Sequence, residues 1–159
     1  YSEPEASHVT HGHHLFRTAA LAMGCTVEEW NCNMKPGDYP DAKLKQFAKE
    51  FAKGKHPCTG IYVSSSVSAI ILMEEFAKLG IHVPEDVSII SLGDNSAAEQ
   101  HGLTVLSHIS RKTATETMKI AATLLHSRSN RGKFLQKECT PILIERNSVK
   151  IITNKEKQL

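Results

Sequence analysis

Two short apolar runs, Gly60–Val63 and Val87–Leu92, flank a stretch whose apolar residues fall at helical spacing: Ala69, Ile70, Met73 and Phe76. Runs of four to six residues rich in Ile and Val, bounded by turn residues, read as strands buried on both faces. Ser64-Ser65-Ser66 follows the first run, and its hydroxyls suit a helix N-terminus at about Val67. Gly80 lies just past Leu79, where a glycine ends a helix, and Pro84-Glu85-Asp86 turns the chain into the second run. A strand, a helix and a strand joined this tightly form a right-handed parallel unit. This unit commits the chain to the α/β class.

The flanking segments agree with that class. Leu15, Phe16, Ala19, Ala20 and Met23 share one face of an expected helix from His8 to Met23, with Gly24 as its stop. Val27–Met34 reads as short and extended, and Pro36–Pro40 as a turn. A second helix is expected over Asp41–Lys53, with Leu44, Phe47, Ala48 and Phe51 as its stripe and Gly54 beyond it. Leu103–Ile109 reads as a strand, and Lys112–His126 as a helix with Ala114, Met118, Ala121, Ala122 and Leu125 inward. Ile142–Glu145 and Val149–Ile152 read as late strands. The expected architecture is a three-layer α/β/α domain around a mostly parallel sheet.

Composition narrows the function. The 159 residues are 40% hydrophobic and 23% charged, as in ordinary globular domains, and the net charge is only +2. That balance gives no basis for nucleic-acid binding by charge, and the basic cluster in Arg128–Lys133 reads as a solvated loop. Cys25, Cys32, Cys58 and Cys139 are scattered with no C-x-x-C pair, so no zinc or redox motif is present and reduced thiols in the cytoplasm are expected. Tyr1–His14 lacks an apolar signal-peptide core, and the apolar run Ala69–Met73 is too short for a membrane span. No cofactor and no membrane partner is expected.

In parallel sheets, ligands bind beyond the carboxyl ends of the strands. Two such ends are readable. Ser64-Ser65-Ser66 can hold a polar ligand with its hydroxyls and free N–H groups, or simply cap the helix. Asp94, after Gly93, can accept from ligand hydroxyls or form an Asx-turn with its own backbone. Trp30 and Met34 can wall a pocket or pack in the core. His8, His11, His13 and His14 cluster, but a helix puts His13 off the face shared by His11 and His14, so they read as surface or cleft histidines and no metal site is assigned. There is no G-x-S-x-G elbow, phosphate-binding loop, dinucleotide glycine pattern or H-E-x-x-H, so an enzyme such as a small hydrolase has no motif behind it.

The stretch Thr59–Asn95, TGIYVSSSVSAIILMEEFAKLGIHVPEDVSIISLGDN, resembles the LacI/GalR family of transcription regulators through Leu79-Gly80, Val83-Pro84-Glu85-Asp86-Val87-Ser88 and its two buried runs. Phe16–Gly24, Leu103-Thr104, the Ala121-Ala122 and Leu124-Leu125 pairs, and Glu145-Arg146-Asn147-Ser148-Val149 extend the likeness over most of the chain. The resemblance implies a periplasmic-binding-protein-like type I core, here the second lobe plus return elements. Residues 1–159 then form the C-terminal part of an effector-binding and dimerisation domain. It further implies a homodimer, a small-molecule effector such as a sugar or related metabolite, and operator DNA bound by a helix-turn-helix domain upstream of this chain. The effector cleft would be lined by His8, His11, Gly12, Met34, Ser64, Ser65, Ser66, Gly93 and Asp94. At these positions the chain departs from the family. The family's Asn-Asp pair aligns with Ser65-Ser66, its ligand-binding Asp with Gly93, its effector arginine with Gly12 and its aromatic wall with Met34. The charged groups that grip sugar hydroxyls are therefore largely replaced. A degenerate sensor core kept for dimerisation, or a periplasmic-type sugar-binding protein, are the alternatives.

Overall fold

The computed structural model describes residues 7–30, 41–107 and 140–151, with Thr115, Met118, Lys119 and Ala122, and for residues 7–13 the backbone alone. Along the described chain the elements are α1 (Ser7–Ala22), α2 (Asp41–Ala52), β1 (Gly60–Val63), α3 (Ser66–Lys78), β2 (Ser88–Leu92), α4 (Ser96–Gln100), β3 (Thr104–Ser107) and β4 (Ile142–Ile144). The strands form one sheet in the order β1-β2-β3-β4. β1–β2 and β2–β3 are parallel, and β4 returns antiparallel along β3. This is the α/β architecture the sequence pattern implies.

Helices α1, α2 and α3 share one termination device. After α3, the Gly80 N–H donates to Ala77 O at 3.2 Å and the Ile81 N–H to Phe76 O at 3.0 Å. This paired ending needs a left-handed residue, and Gly80 supplies it at φ 74° with no Cβ penalty. Gly24 and Gly54 close α1 and α2 with the same bonding pattern. The turn after α3 is tied by Asp86, whose Oδ2 accepts from the His82 N–H at 2.7 Å, and the Val83–Pro84 peptide is cis.

Alternation along the strands sorts the sheet into two faces. Ile89 and Val105 point to one face, where they are fully buried against Leu72 and Phe76 of α3, Ala98 of α4, and Phe47 and Ala48 of α2. Tyr62, opposite Ile90 in the ladder, points to the other face, where Phe16 of α1 stacks on it at 4.6 Å. Trp30 packs against Phe47 at 4.9 Å and joins the rim of the core, which settles its role as packing.

Four expectations need correction or qualification. The loop after Asn95 contains a helix, α4, that the loop signal concealed. Residues Val149 to Ile151 form no strand. Single bonds tie this part of the chain to the strands instead: the Ser148 hydroxyl donates to Ile89 O at 2.6 Å and accepts the Thr104 N–H at 2.7 Å, and the Lys150 backbone N–H donates to Ser88 Oγ at 3.0 Å. Of the expected Lys112–His126 helix, only Thr115, Met118, Lys119 and Ala122 are described; they are helical, and Met118 is 73% exposed where an inward position was expected. Val27–Trp30 has no regular structure, and residues 31–34 lie outside the described residues.

Two predictions follow from this framework. Ser148 is 1% exposed and satisfies a buried carbonyl and a buried amide at once. Ser148→Ala should therefore lower unfolding stability by about 2 kcal/mol or more in denaturant titration. The Asp86 carboxyl is held below its ordinary value of 3.8, first by the His82 backbone N–H and then by the His82 side chain. A lowered folded value stabilises the fold above the ordinary range and loses that effect as pH falls through the lowered value. Asp86→Ala should thus reduce the melting temperature at neutral pH, and the gap from wild type should close in acid below that range.

Candidate functional site

β1 and β2 lie in parallel register with Val63 beside Ser91, so the turns that follow them emerge at the same end of the sheet. Ser64, Ser65 and Ser66 therefore meet Gly93, Asp94 and Asn95 there, as the strand-end argument requires. The contact is direct: Asn95 Nδ2 donates to Ser66 Oγ at 2.8 Å, and Ser66 is 6% exposed. The other end of the same amide caps α4, Asn95 Oδ1 accepting the Ala98 N–H at 2.8 Å. One side chain thus joins the two strand ends and starts a helix.

The serines act differently from simple caps. Ser65 occupies the N-cap position of α3 with extended backbone, φ −136° and ψ 127°, but its side chain makes no capping hydrogen bond. Ser64 and Ser65 are half-buried beside it. The N-terminal turn of α3 thus retains amides that Ser65 does not cap, the arrangement that favours a polar or anionic group.

Asp94 makes a contact outside its own loop. Its Oδ1 accepts from Arg146 Nη2 at 2.8 Å, with the two side chains only 11% and 15% exposed. Arg146 Nη1 also donates to Leu103 O at 2.8 Å, and its backbone N–H to Thr104 Oγ1 at 2.9 Å. Gly93 takes φ 88° while its N–H donates to Leu106 O at 2.9 Å, a backbone that disfavours any side chain there. The Asx role falls instead to Asn95.

Sequence reading missed Asn95 and Arg146. Asn95 stood in the recognised loop signal, and its cap of α4 follows from an Asn three residues before Ala98. Arg146 lay in the matched late segment, but 52 residues separate it from Asp94 and no local pattern links them. Among the other expected site residues, His8, His11 and Gly12 lie on α1 with side chains outside the described residues, and Met34 lies outside them altogether. Among the described residues no group of three or more His, Cys, Asp or Glu is placed to hold a metal ion. Desolvation, reinforced by Glu28, pushes the Cys58 thiol up, the reverse of what activates a nucleophile. No described helix is long and apolar enough to cross a membrane.

The described residues thus form a mostly parallel sheet with a polar junction at its carboxyl edge. A family model for the periplasmic binding protein-like domain matches residues 3–149. The chain belongs to that family. Among solved structures it is similar to a LacI-family transcriptional regulator from Bifidobacterium animalis subsp. lactis, with 25% identity and TM-score 0.70 over 91% of this chain and 51% of that one. It is also similar in fold to the transcription regulator CcpA of Lactococcus lactis, with 22% identity and TM-score 0.59 over 85% and 48% of the two chains. A periplasmic binding protein/LacI transcriptional regulator from Alkaliphilus metalliredigens, complexed with D-xylulofuranose, shares the fold at 18% identity and TM-score 0.59, covering 87% and 51%. Among curated protein sequences no relative matches. The chain spans about half the length of these structural relatives.

Asn95→Ala should remove both the α4 cap and the bridge to Ser66, at a cost of about 1–2 kcal/mol in chemical denaturation. Asn95→Asp should keep the cap and lose only the donor to Ser66, and fall between the two. Equal losses for the two variants would show that the cap contributes nothing, and an Asn95→Asp protein as stable as wild type would show that the bridge contributes nothing.

Proposed function

We propose that this chain is the effector-sensing part of a LacI-family transcription regulator. The effector is a small polar metabolite, of which a sugar is the first candidate, bound at the junction of Ser64–Ser66 with Gly93–Asp94. His8, His11, Gly12 and Met34 complete the proposed set of effector-binding residues. The observation that carries this reading is the direct meeting of the two polar turns at the carboxyl ends of adjacent parallel strands. The family match and the sugar-bound relative support it. Occupancy then favours one arrangement of the parent protein, a cytoplasmic homodimer, and so changes operator binding by a helix-turn-helix domain outside this chain.

A second reading has its own support. Asp94 and Ser66 are already satisfied by Arg146 and Asn95, so the polar groups of the junction are partly spent within the protein. In that reading the domain no longer senses a ligand and serves only dimerisation.

Thermal-shift screening of sugars, sugar phosphates and nucleobases separates the two. A ligand at about one hundred times its dissociation constant adds about 2.7 kcal/mol, a rise of several degrees for a domain of this size. The sensing reading expects such a rise, diminished by Ser65→Ala. No shift with any compound, together with a dimer in sedimentation and unchanged operator binding in Ser65→Asp and Asp94→Ala, would leave the dimerisation module.

A further inference from the structure

Arg146 comes from neither of the turns that form the junction, yet the junction depends on it. Its guanidinium is a planar fork with fixed donor directions. One arm is spent on Leu103 O and the other on Asp94 Oδ1, each at 2.8 Å, while the backbone of the same residue is tied to Thr104 Oγ1. The fork therefore sets where the Asp94 carboxylate lies relative to the start of β3. Asp94 is bonded in sequence to Asn95, and Asn95 reaches both Ser66 Oγ and the Ala98 amide. A restraint applied beside β4 thus passes through one loop to the end of β1.

The pair also sets the charge of the junction. Asp94 and Arg146 are almost enclosed, at 11% and 15% exposed. An unpaired carboxylate in such surroundings would attract a cation and repel an anion, because screening by water is weak there. Paired, the two groups present no net charge.

We propose that Arg146 is a positioning and specificity-determining residue: it holds the Gly93–Asn95 loop in place and cancels the Asp94 charge, so that the junction accepts an uncharged, hydroxyl-rich ligand over its cationic or anionic counterpart. The ligand half of this inference rests on the sensing function proposed above; the positioning half does not.

The test uses the full chain and the variants Arg146→Lys, Arg146→Met and Asp94→Asn/Arg146→Met, with two measurements. The first is hydrogen exchange at the Ala98 amide, bonded to Asn95 Oδ1, compared with the Leu72 amide inside α3. Arg146→Met should speed Ala98 exchange about tenfold or more beyond any change at Leu72, and Arg146→Lys should recover part of it. If Ala98 only keeps pace with Leu72 in every variant, Arg146 is a general structural residue and the positioning half is wrong. The second is titration with matched triples of a neutral monosaccharide, its amino analogue and its phosphate. Wild type should prefer the neutral member. Arg146→Met should shift the preference toward the amino analogue by about tenfold, and the uncharged double variant should restore it. Unchanged discrimination in Arg146→Met overturns the specificity half. If no triple binds wild type, the sensing function and the specificity half fall together, and the exchange ratio still decides the positioning half. Should Arg146→Met not fold, the lysine and double variants carry both measurements.

Discussion

The Ser148 hydroxyl fastens β2 to β3 where both strands begin. It donates to Ile89 O and accepts the Thr104 N–H, from sequence distances of 59 and 44 residues. Parallel strands lack the tight hairpin that fixes register in antiparallel ones, so their alignment must come from packing or from side chains that reach across. Here the late segment supplies the reach. The Ser148 carbonyl also accepts the Ile89 N–H at 2.7 Å, and the Asn147 N–H donates to Gly102 O at 2.9 Å. With the strand beginnings fixed, the register of Ile90 beside Thr104 and Leu92 beside Leu106 follows, and with it the place where the Gly93–Asn95 loop leaves the sheet.

Much of this framework is written in local signals. β1 was readable over Gly60–Val63 because a short β-branched run between turn residues has few other uses. The helix ends were readable because Gly24, Gly54 and Gly80 stand where left-handed residues close helices, and the amphipathic stripes lead up to them. α4 was not readable. Five residues carry too little periodicity, and its start, Asn95, doubles as an ordinary turn residue. The last segment was misread for a related reason: Val149 and Ile151 look like strand residues, but the backbone needs nearby are met by Ser148 and the Ser88 hydroxyl, which leaves no ladder to extend.

The site divides the same way. That the serine turn and the Gly93-Asp94 loop share one sheet end could be read from the strand–helix–strand unit alone, since parallel strands deliver their following loops to the same edge. What each side chain does there could not. Whether Asp94 faces a ligand, its own backbone or a distant cation depends on which residue the fold brings within 3 Å. Arg146 arrives only because β4 runs antiparallel beside β3 and places residue 146 near Leu103 and Thr104.

An enclosed ion pair is a poor way to gain stability. Removing both charges from water costs about as much as their attraction returns, and an apolar pair of similar volume often does as well. Asp94–Arg146 therefore makes most sense as a device of geometry. It leaves the loop one arrangement in which both carboxylate and fork are satisfied, and a large penalty for any other, because a displaced loop would strand a charge inside the protein. A hydrophobic pair would tolerate sliding and give no such penalty. The loop so fixed carries Asn95, whose single amide links Ser66 to α4. The polar junction at the sheet edge is thus held from the side opposite the serines, through charge rather than through packing.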